Sequence, residues 1–171
     1  MRGTSIFSAN IQRLMSDPSK TPNEKRIVKL HDSYFVSNVM ARSDRGSLID
    51  RGANGGVAGT DVRVMSLTDR MVDITGIDDH ELQDAHIGTV GGTLDTNHGD
   101  VIGIFHQHAV LGQGRAIHSA GQLEHFKNDV NDKSLRVKGG LQRIKTLQGH
   151  VIPLDIVNGL PCTPTRPCAD E

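Results

Sequence analysis

Ser47-Leu-Ile-Asp-Arg-Gly-Ala-Asn-Gly-Gly-Val-Ala-Gly-Thr-Asp-Val-Arg-Val64 is the stretch on which the reading of this chain turns. Leu48 and Ile49 run directly into Asp50, and the chain then loosens into Gly52, Ala53, Gly55, Gly56 and Gly59. Each glycine costs backbone entropy and adds no side chain to a core. A short apolar strand that delivers a carboxylate into such a loop makes sense if the loop must turn tightly and let something approach its backbone. A solvated polar turn is the plainest alternative, since Asp and Gly dominate turns. A phosphate-cradling loop is another, but neither G-x-G-x-x-G nor G-x-x-x-x-G-K-[ST] is present and no helix follows at once.

Working outward, Tyr34–Met40 reads as a strand before the motif, with a turn at Ser43-Asp-Arg-Gly46 between them. Val62-Arg63-Val64 and Met71-Val72-Asp73-Ile74 alternate apolar with polar, as half-buried strands do. Val72 and Ile74 on one side and Ile87 and Val90 on the other flank an acidic tip, Ile77-Asp78-Asp79-His80-Glu81-Leu82, which predicts a β-hairpin. Asp95-Thr-Asn-His-Gly-Asp100 has Asp100 where a calcium loop needs its sixth-position glycine, with His106 in place of the twelfth-position glutamate, and reads as a turn. Val101-Ile-Gly-Ile-Phe105 is the most apolar run and is expected to be a central strand. Its continuation places His106 and His108 on one face if alternation holds, and with His118 and His125 a zinc site is conceivable. Ser119-Ala-Gly-Gln122 has the form of a helix-capping box, followed by Leu123, Phe126 and Val130 at helical spacing. Gln142–Leu147 and His150–Ile156 read as two strands around Gln148-Gly149, with Pro153 arguing for an edge.

Asp50-Arg51-Gly52-Ala53-Asn54 resembles the Asp-Ser/Thr-Gly-Ala-Ser motif that opens the protease of copia-type retrotransposon polyproteins. Ala116-Ile-His-Ser-Ala-Gly-Gln-Leu123 resembles the Leu-Leu-Ser-x-x-Gln-Leu signature that closes it, and the series holds in order from about Leu48 to Leu160. The chain is also similar to polyprotein segments of copia-like elements of diatoms and related algae. The resemblance implies a mainly β, retropepsin-like closed or partly open barrel with one short helix after the last barrel strand. It implies an aspartic endopeptidase with Asp50 as the catalytic residue, Gly52, Ala53 and Asn54 as the active-site loop, and Ile77, Asp78 and Asp79 in the flap. One Asp per subunit makes a homodimer necessary, and the substrate would be the element's own polyprotein, inside its cytoplasmic virus-like particle. No metal or other cofactor is expected. Arg51 departs from the family, because Ser or Thr normally stands there and its hydroxyl ties the two loops across the dimer. A guanidinium has no acceptor capacity and cannot reproduce that bond. A transposon remnant that keeps the β-fold without chemistry is therefore the competing reading, and a His-rich metal-binding domain a weaker third.

The 171 residues fit one domain with tails. Residues 1–33 read as a polar linker in which Phe7, Ile11, Leu14 and Met15 form a short helix ended at Asp17-Pro18. Residues 34–130 read as the β-domain, 131–160 as a hairpin that the resemblance places in the protease–integrase connecting region, and 161–171 as an unfolded tail. Nineteen basic residues against twenty acidic ones remove any global electrostatic argument for binding nucleic acid or an anionic membrane. Four Phe, one Tyr and no Trp make a poor stacking platform for single strands. Without a run of 18 apolar residues or a signal-peptide core, the chain reads as intracellular. Cys162 and Cys168 match no zinc pattern and are expected to be free thiols.

Overall fold

The computed structural model describes residues 32–36, 46–76 and 81–169. The expected N-terminal helix and the expected flap residues Ile77, Asp78 and Asp79 lie outside them, as do Ser37–Met40 of the first expected strand. Thirteen strands and one short helix are described: β1 Asp32–Val36, β2 Ser47–Asp50, β3 Gly56–Ala58, β4 Arg63–Gly76, β5 Glu81–Thr96, β6 Gly99–Val110, β7 Ile117–Ser119, α1 Ala120–His125, β8 Asp129–Asn131, β9 Arg143–Lys145, β10 Val151–Pro153, β11 Asp155–Val157, β12 Leu160–Thr163 and β13 Thr165–Pro167.

Ten of the strands form one mixed sheet in the order β1-β4-β5-β6-β3-β7-β2-β12-β11, with β13 alongside β5. The protein is mainly β, as its alternating runs predict. The barrel does not close among the described residues: β1 and β11 end the order and do not pair with each other. The two expected strands at 62–64 and 71–74 fall, apart from Val62, within one long strand, β4, whose pairing with β5 is interrupted by register shifts. β4 and β5 form the expected hairpin, with Thr75 opposite Glu81. β5 and β6 meet around the expected turn, where the Thr96 hydroxyl donates to the Gly99 carbonyl at 2.6 Å.

β7 lies between β2 and β3, parallel to β2 and antiparallel to β3. The two strands joined by the Asp50 loop are therefore not neighbours, and the loop must pass over the end of β7. Three apolar clusters hold this arrangement. One contains Val57, Val72, Ile74, Ala85, Ile87 and Ala109, and a second Ala58, Val62, Val90 and Ala116. The third joins Ile49 and Leu94 of the main sheet to Ala120 of α1 and to Val130, Ile144 and Ile152 of the small sheet β10-β9-β8. Burying an Ile side chain fully contributes about 1.5–3 kcal/mol, so Ile49, 2 % exposed, anchors the motif strand to that small sheet. β9 and β10 pair antiparallel around the turn expected there, and Pro153 lies on the edge strand β10.

The tail is a correction. Its described residues, 161–169, are not left unfolded: β12 pairs with β2 and β13 with β5, and the helix is therefore not followed by the end of the sheet. Their partners lie about seventy to over a hundred residues away, so no local pattern announces them, and Pro161, Pro164 and Pro167 misdirect a local reading. Pro161 opposes Ile156 in the pairing of β12 with β11, and Pro164 stands between β12 and β13. Cys162 and Cys168 are free and buried, and burial pushes the Cys162 thiol up, away from its reactive form.

Candidate active site

Asp50 is the last residue of β2 and is in register with Ser119, the last residue of β7. Two parallel strands thus end side by side, one on a carboxylate and the other on a hydroxyl. The Gly52 N–H donates to Asp50 Oδ1 at 2.7 Å, which closes the bend and fixes the carboxylate. The Ser119 hydroxyl donates to the Ala53 carbonyl at 2.7 Å and accepts from the Gln122 N–H at 3.2 Å. The capping role predicted for Ser119 is therefore present, and the same oxygen also ties the Asp50 loop to the start of α1. The Gln122 side-chain amide does not return to the cap but donates to the His106 carbonyl at 3.2 Å. Ala53 is buried, whereas Gly52 and Asn54 are exposed.

Arg51 reaches toward the helix and the small sheet. Its Nη2 donates to Glu124 Oε1 at 3.0 Å and to the Val130 carbonyl at 2.9 Å, and its Nε donates to Asp132 Oδ2 at 2.9 Å. Glu124 and Asp132 raise the guanidinium's affinity for its proton against the opposing effect of desolvation. The loop is thus held within its own chain, at three points.

Further back, Asp61 braces the roots of both strands. It accepts from the Ser47 hydroxyl at 2.7 Å and from the Ala116 N–H at 2.6 Å. Nothing in the sequence marked Asp61, because its partners are 14 and 55 residues away. Arg115 adds a bond to the Gly46 carbonyl at 2.9 Å. Gly46 has φ +73° and lies against the Thr163 backbone, where a Cβ would stand 1.9 Å from the carbonyl oxygen. Only glycine fits this entry to β2.

The histidines do not share a face. His106 and Gln107 together oppose Thr89, so β6 carries a bulge, with Gln107 at φ +60°. A bulge inserts one residue and reverses the alternation beyond it. His106 consequently faces solvent and lies 3.1 Å from the Thr89 hydroxyl, while His108 is buried with Phe105 and His118. His108 Nε2 and His118 Nδ1 are 2.9 Å apart, and the Phe105 ring stacks on His118 at 4.2 Å. Burial lowers His108 to about 4 and holds His118 well below the usual imidazole range. Gly56 makes room for the pair: a Cβ there would lie 2.3 Å from His108 Nε2. Among the described residues no group of three or more His, Cys, Asp or Glu is placed to hold a metal ion.

Comparison of the chain with protein-family models, with curated proteins and with solved structures gave no match.

Proposed function

We propose that this chain is the aspartic endopeptidase segment of a copia-type retrotransposon polyprotein, of retropepsin-like fold, active as a homodimer. The observation that carries the reading is the Asp50 bend. A carboxylate, fixed by the Gly52 N–H, stands at the end of a strand parallel to β7, and Ser119 holds the same loop from the neighbouring strand. The resemblance of Asp50–Asn54 and Ala116–Leu123 to the two protease signatures gives this geometry its chemistry, since the two stretches are the ones that meet here.

A two-fold axis beside the loop brings Asp50 to its own copy, as an isologous dimer requires. Two carboxylates so close do not both ionise, and one proton is shared between them. The ionised member accepts a proton from water as the water oxygen attacks the scissile carbonyl carbon, and the protonated member donates its proton to the carbonyl oxygen. Collapse of the resulting gem-diol breaks the C–N bond: the carboxyl that took the water proton passes it to the leaving amine, and the other recovers its proton from a diol hydroxyl as the carboxylic acid product forms. Gly52 and Ala53 shape the bend and leave the substrate backbone space beside it.

A second reading has a specific observation in its favour. Arg51 occupies the place of the hydroxyl that links the two loops of the dimer, and its guanidinium is spent on Glu124 and Asp132 of its own chain. A monomeric, non-catalytic remnant would look the same in one chain. The polyprotein carrying this segment separates the two. Cleavage that disappears in Asp50→Asn, together with a sedimenting dimer, establishes the peptidase. Cleavage unchanged by Asp50→Asn refutes it, and a monomer without cleavage at high concentration establishes the remnant.

A further inference from the structure

Among the described residues, three buried side-chain polar atoms lack a hydrogen-bond partner: His118 Nε2, His150 Nδ1 and Thr163 Oγ1. All three residues line one cleft of about 510 Å³, set between β5 and β6 on one side and α1 with the small sheet on the other. Its wall is mainly apolar, with Leu94, Phe105, Leu123, Ile144 and Ile152, and also carries the uncharged polar side chains of Gln122, Asn128, Thr146 and Gln148 and the imidazole of His106. Ile102, Ile104, Phe126 and Leu147 also belong to it, and each is a large apolar side chain at least 44 % exposed. No Asp, Glu, Lys or Arg stands among the described residues of the wall, and Asp50 is not part of it.

The polar atom of His118 has a defined character. His108 Nδ1 lies 3.3 Å from the His106 carbonyl oxygen, which only accepts, so Nδ1 carries the His108 proton. His108 Nε2 is then an acceptor, and the proton in the 2.9 Å contact belongs to His118 Nδ1. That leaves His118 Nε2 as a bare lone pair. A buried acceptor without a donor loses its hydration without compensation, and native proteins leave few such groups empty. The volume is in the range of small-molecule sites, which are apolar with a few placed polar groups.

We propose that this cleft binds a neutral, mainly apolar small molecule carrying one hydroxyl, whose O–H donates to His118 Nε2 while its body rests on Phe105, Leu123 and Ile152. Neutrality follows from a wall without fixed charge and from an imidazole that burial keeps unprotonated. A carboxylate or phosphate would find no Lys or Arg among the described residues of the wall and no donor at that nitrogen. Thr163, able to give and accept, provides a second polar contact. The proposal stands whether or not Asp50 is catalytic.

The test uses the full chain, labelled with ¹⁵N, and three probes of one shape: 1-naphthol, 1-methoxynaphthalene and 1-naphthoate. Naphthol is expected to shift the amides of Gln122, Ile152 and Thr163 saturably and to move the His118 Nε2 resonance. The methyl ether, which has no donor, is expected to bind roughly five- to tenfold more weakly, as the loss of one hydrogen bond dictates. Naphthoate is expected not to saturate. Ile104→Asp, at a side chain 44 % exposed, puts a charge at the mouth with little demand on the fold and is expected to remove naphthol binding. Leu123→Trp fills the cleft from within and is expected to do the same. Absence of a saturable shift, as for a cleft that holds only water, overturns the proposal. So does equal affinity for naphthol and its ether, or undiminished binding to Ile104→Asp.

Discussion

Arg51 follows the motif aspartate and ends on Glu124, Asp132 and the Val130 carbonyl. Exposed ion pairs contribute little each, but a forked guanidinium with three acceptors also orders the loop that carries it. Arg51→Ala is expected to lower stability by about 1 kcal/mol and to speed amide exchange at Gly52 and Ala53 more than elsewhere. Lys in its place keeps the charge but cannot span the three acceptors, so exchange should remain fast. If exchange at the loop is the same in all three proteins, Arg51 is a surface residue and no more. The sequence exposed the oddity of an arginine at this position; it could not show its partners, which lie 73 to 81 residues further on.

The buried histidines give a second test at this scale. His108 titrates at about 4 in the folded protein because burial disfavours its charged form, whereas an unfolded imidazole titrates near 6.5. The unfolded chain therefore binds more protons between those values. The stability is fully present above pH 6.5 and falls as pH drops toward about 4, where the loss reaches about 3 kcal/mol for His108 alone. His118, lowered in the same direction, extends the loss. Urea midpoints taken from pH 7 down to pH 4.5 should fall steadily, and the His108 ring signals should not titrate above pH 5. A midpoint flat across that window would mean that the pair is not buried in solution.

At the scale of the element, β3 and β7 depend on Gly56 as much as on their apolar residues. The His108 ring occupies the volume that any side chain at position 56 would need. Gly56→Ala forces the ring or the strand aside, and overpacking of this kind typically costs about 1–3 kcal/mol. A denaturation midpoint within error of the parent would show that the ring can move at no cost. Helix α1 has a comparable dependence. It is only six residues long, and Ser119 both caps it and holds the Ala53 carbonyl. Ser119→Ala removes both bonds and is expected to cost about 1–2 kcal/mol, read from thermal unfolding of the full chain. The cap was legible because a capping box spans four consecutive residues. The bond to Ala53 was not, because it joins segments 66 residues apart. Alternation misread His106 and His108 for a related reason: a bulge is a property of the pairing with β5, and β6 alone carries no sign of it.

On the whole-molecule scale, the strands that alternate in sequence were legible, and so was the hairpin of β9 and β10, whose partners are close along the chain. The closing strands were not. β12 covers the edge of β2, with Cys162 opposite Leu48 and Thr163 opposite Ser47. β13 takes up β5 at Gly92–Leu94, just beyond the point where β4 begins to pair with it, and Arg166 reaches both Asp95 and Asp100. A chain ended at Gly159 would lose these ladders and leave β2, the strand that carries Asp50, paired with β7 alone and at the edge of the sheet. Exposed apolar edges invite pairing with other chains. Such a chain is expected to show faster amide exchange along Ser47–Asp50, a lower unfolding midpoint and concentration-dependent aggregation, while the hairpin of β9 and β10 keeps its exchange protection. Loss of protection throughout the chain would mean that the sheet folds as one unit with its last strands. Unaltered protection of Ser47–Asp50 would mean that β12 adds nothing to the motif strand, and the support of Asp50 would then rest on β7, Asp61 and Arg51 alone.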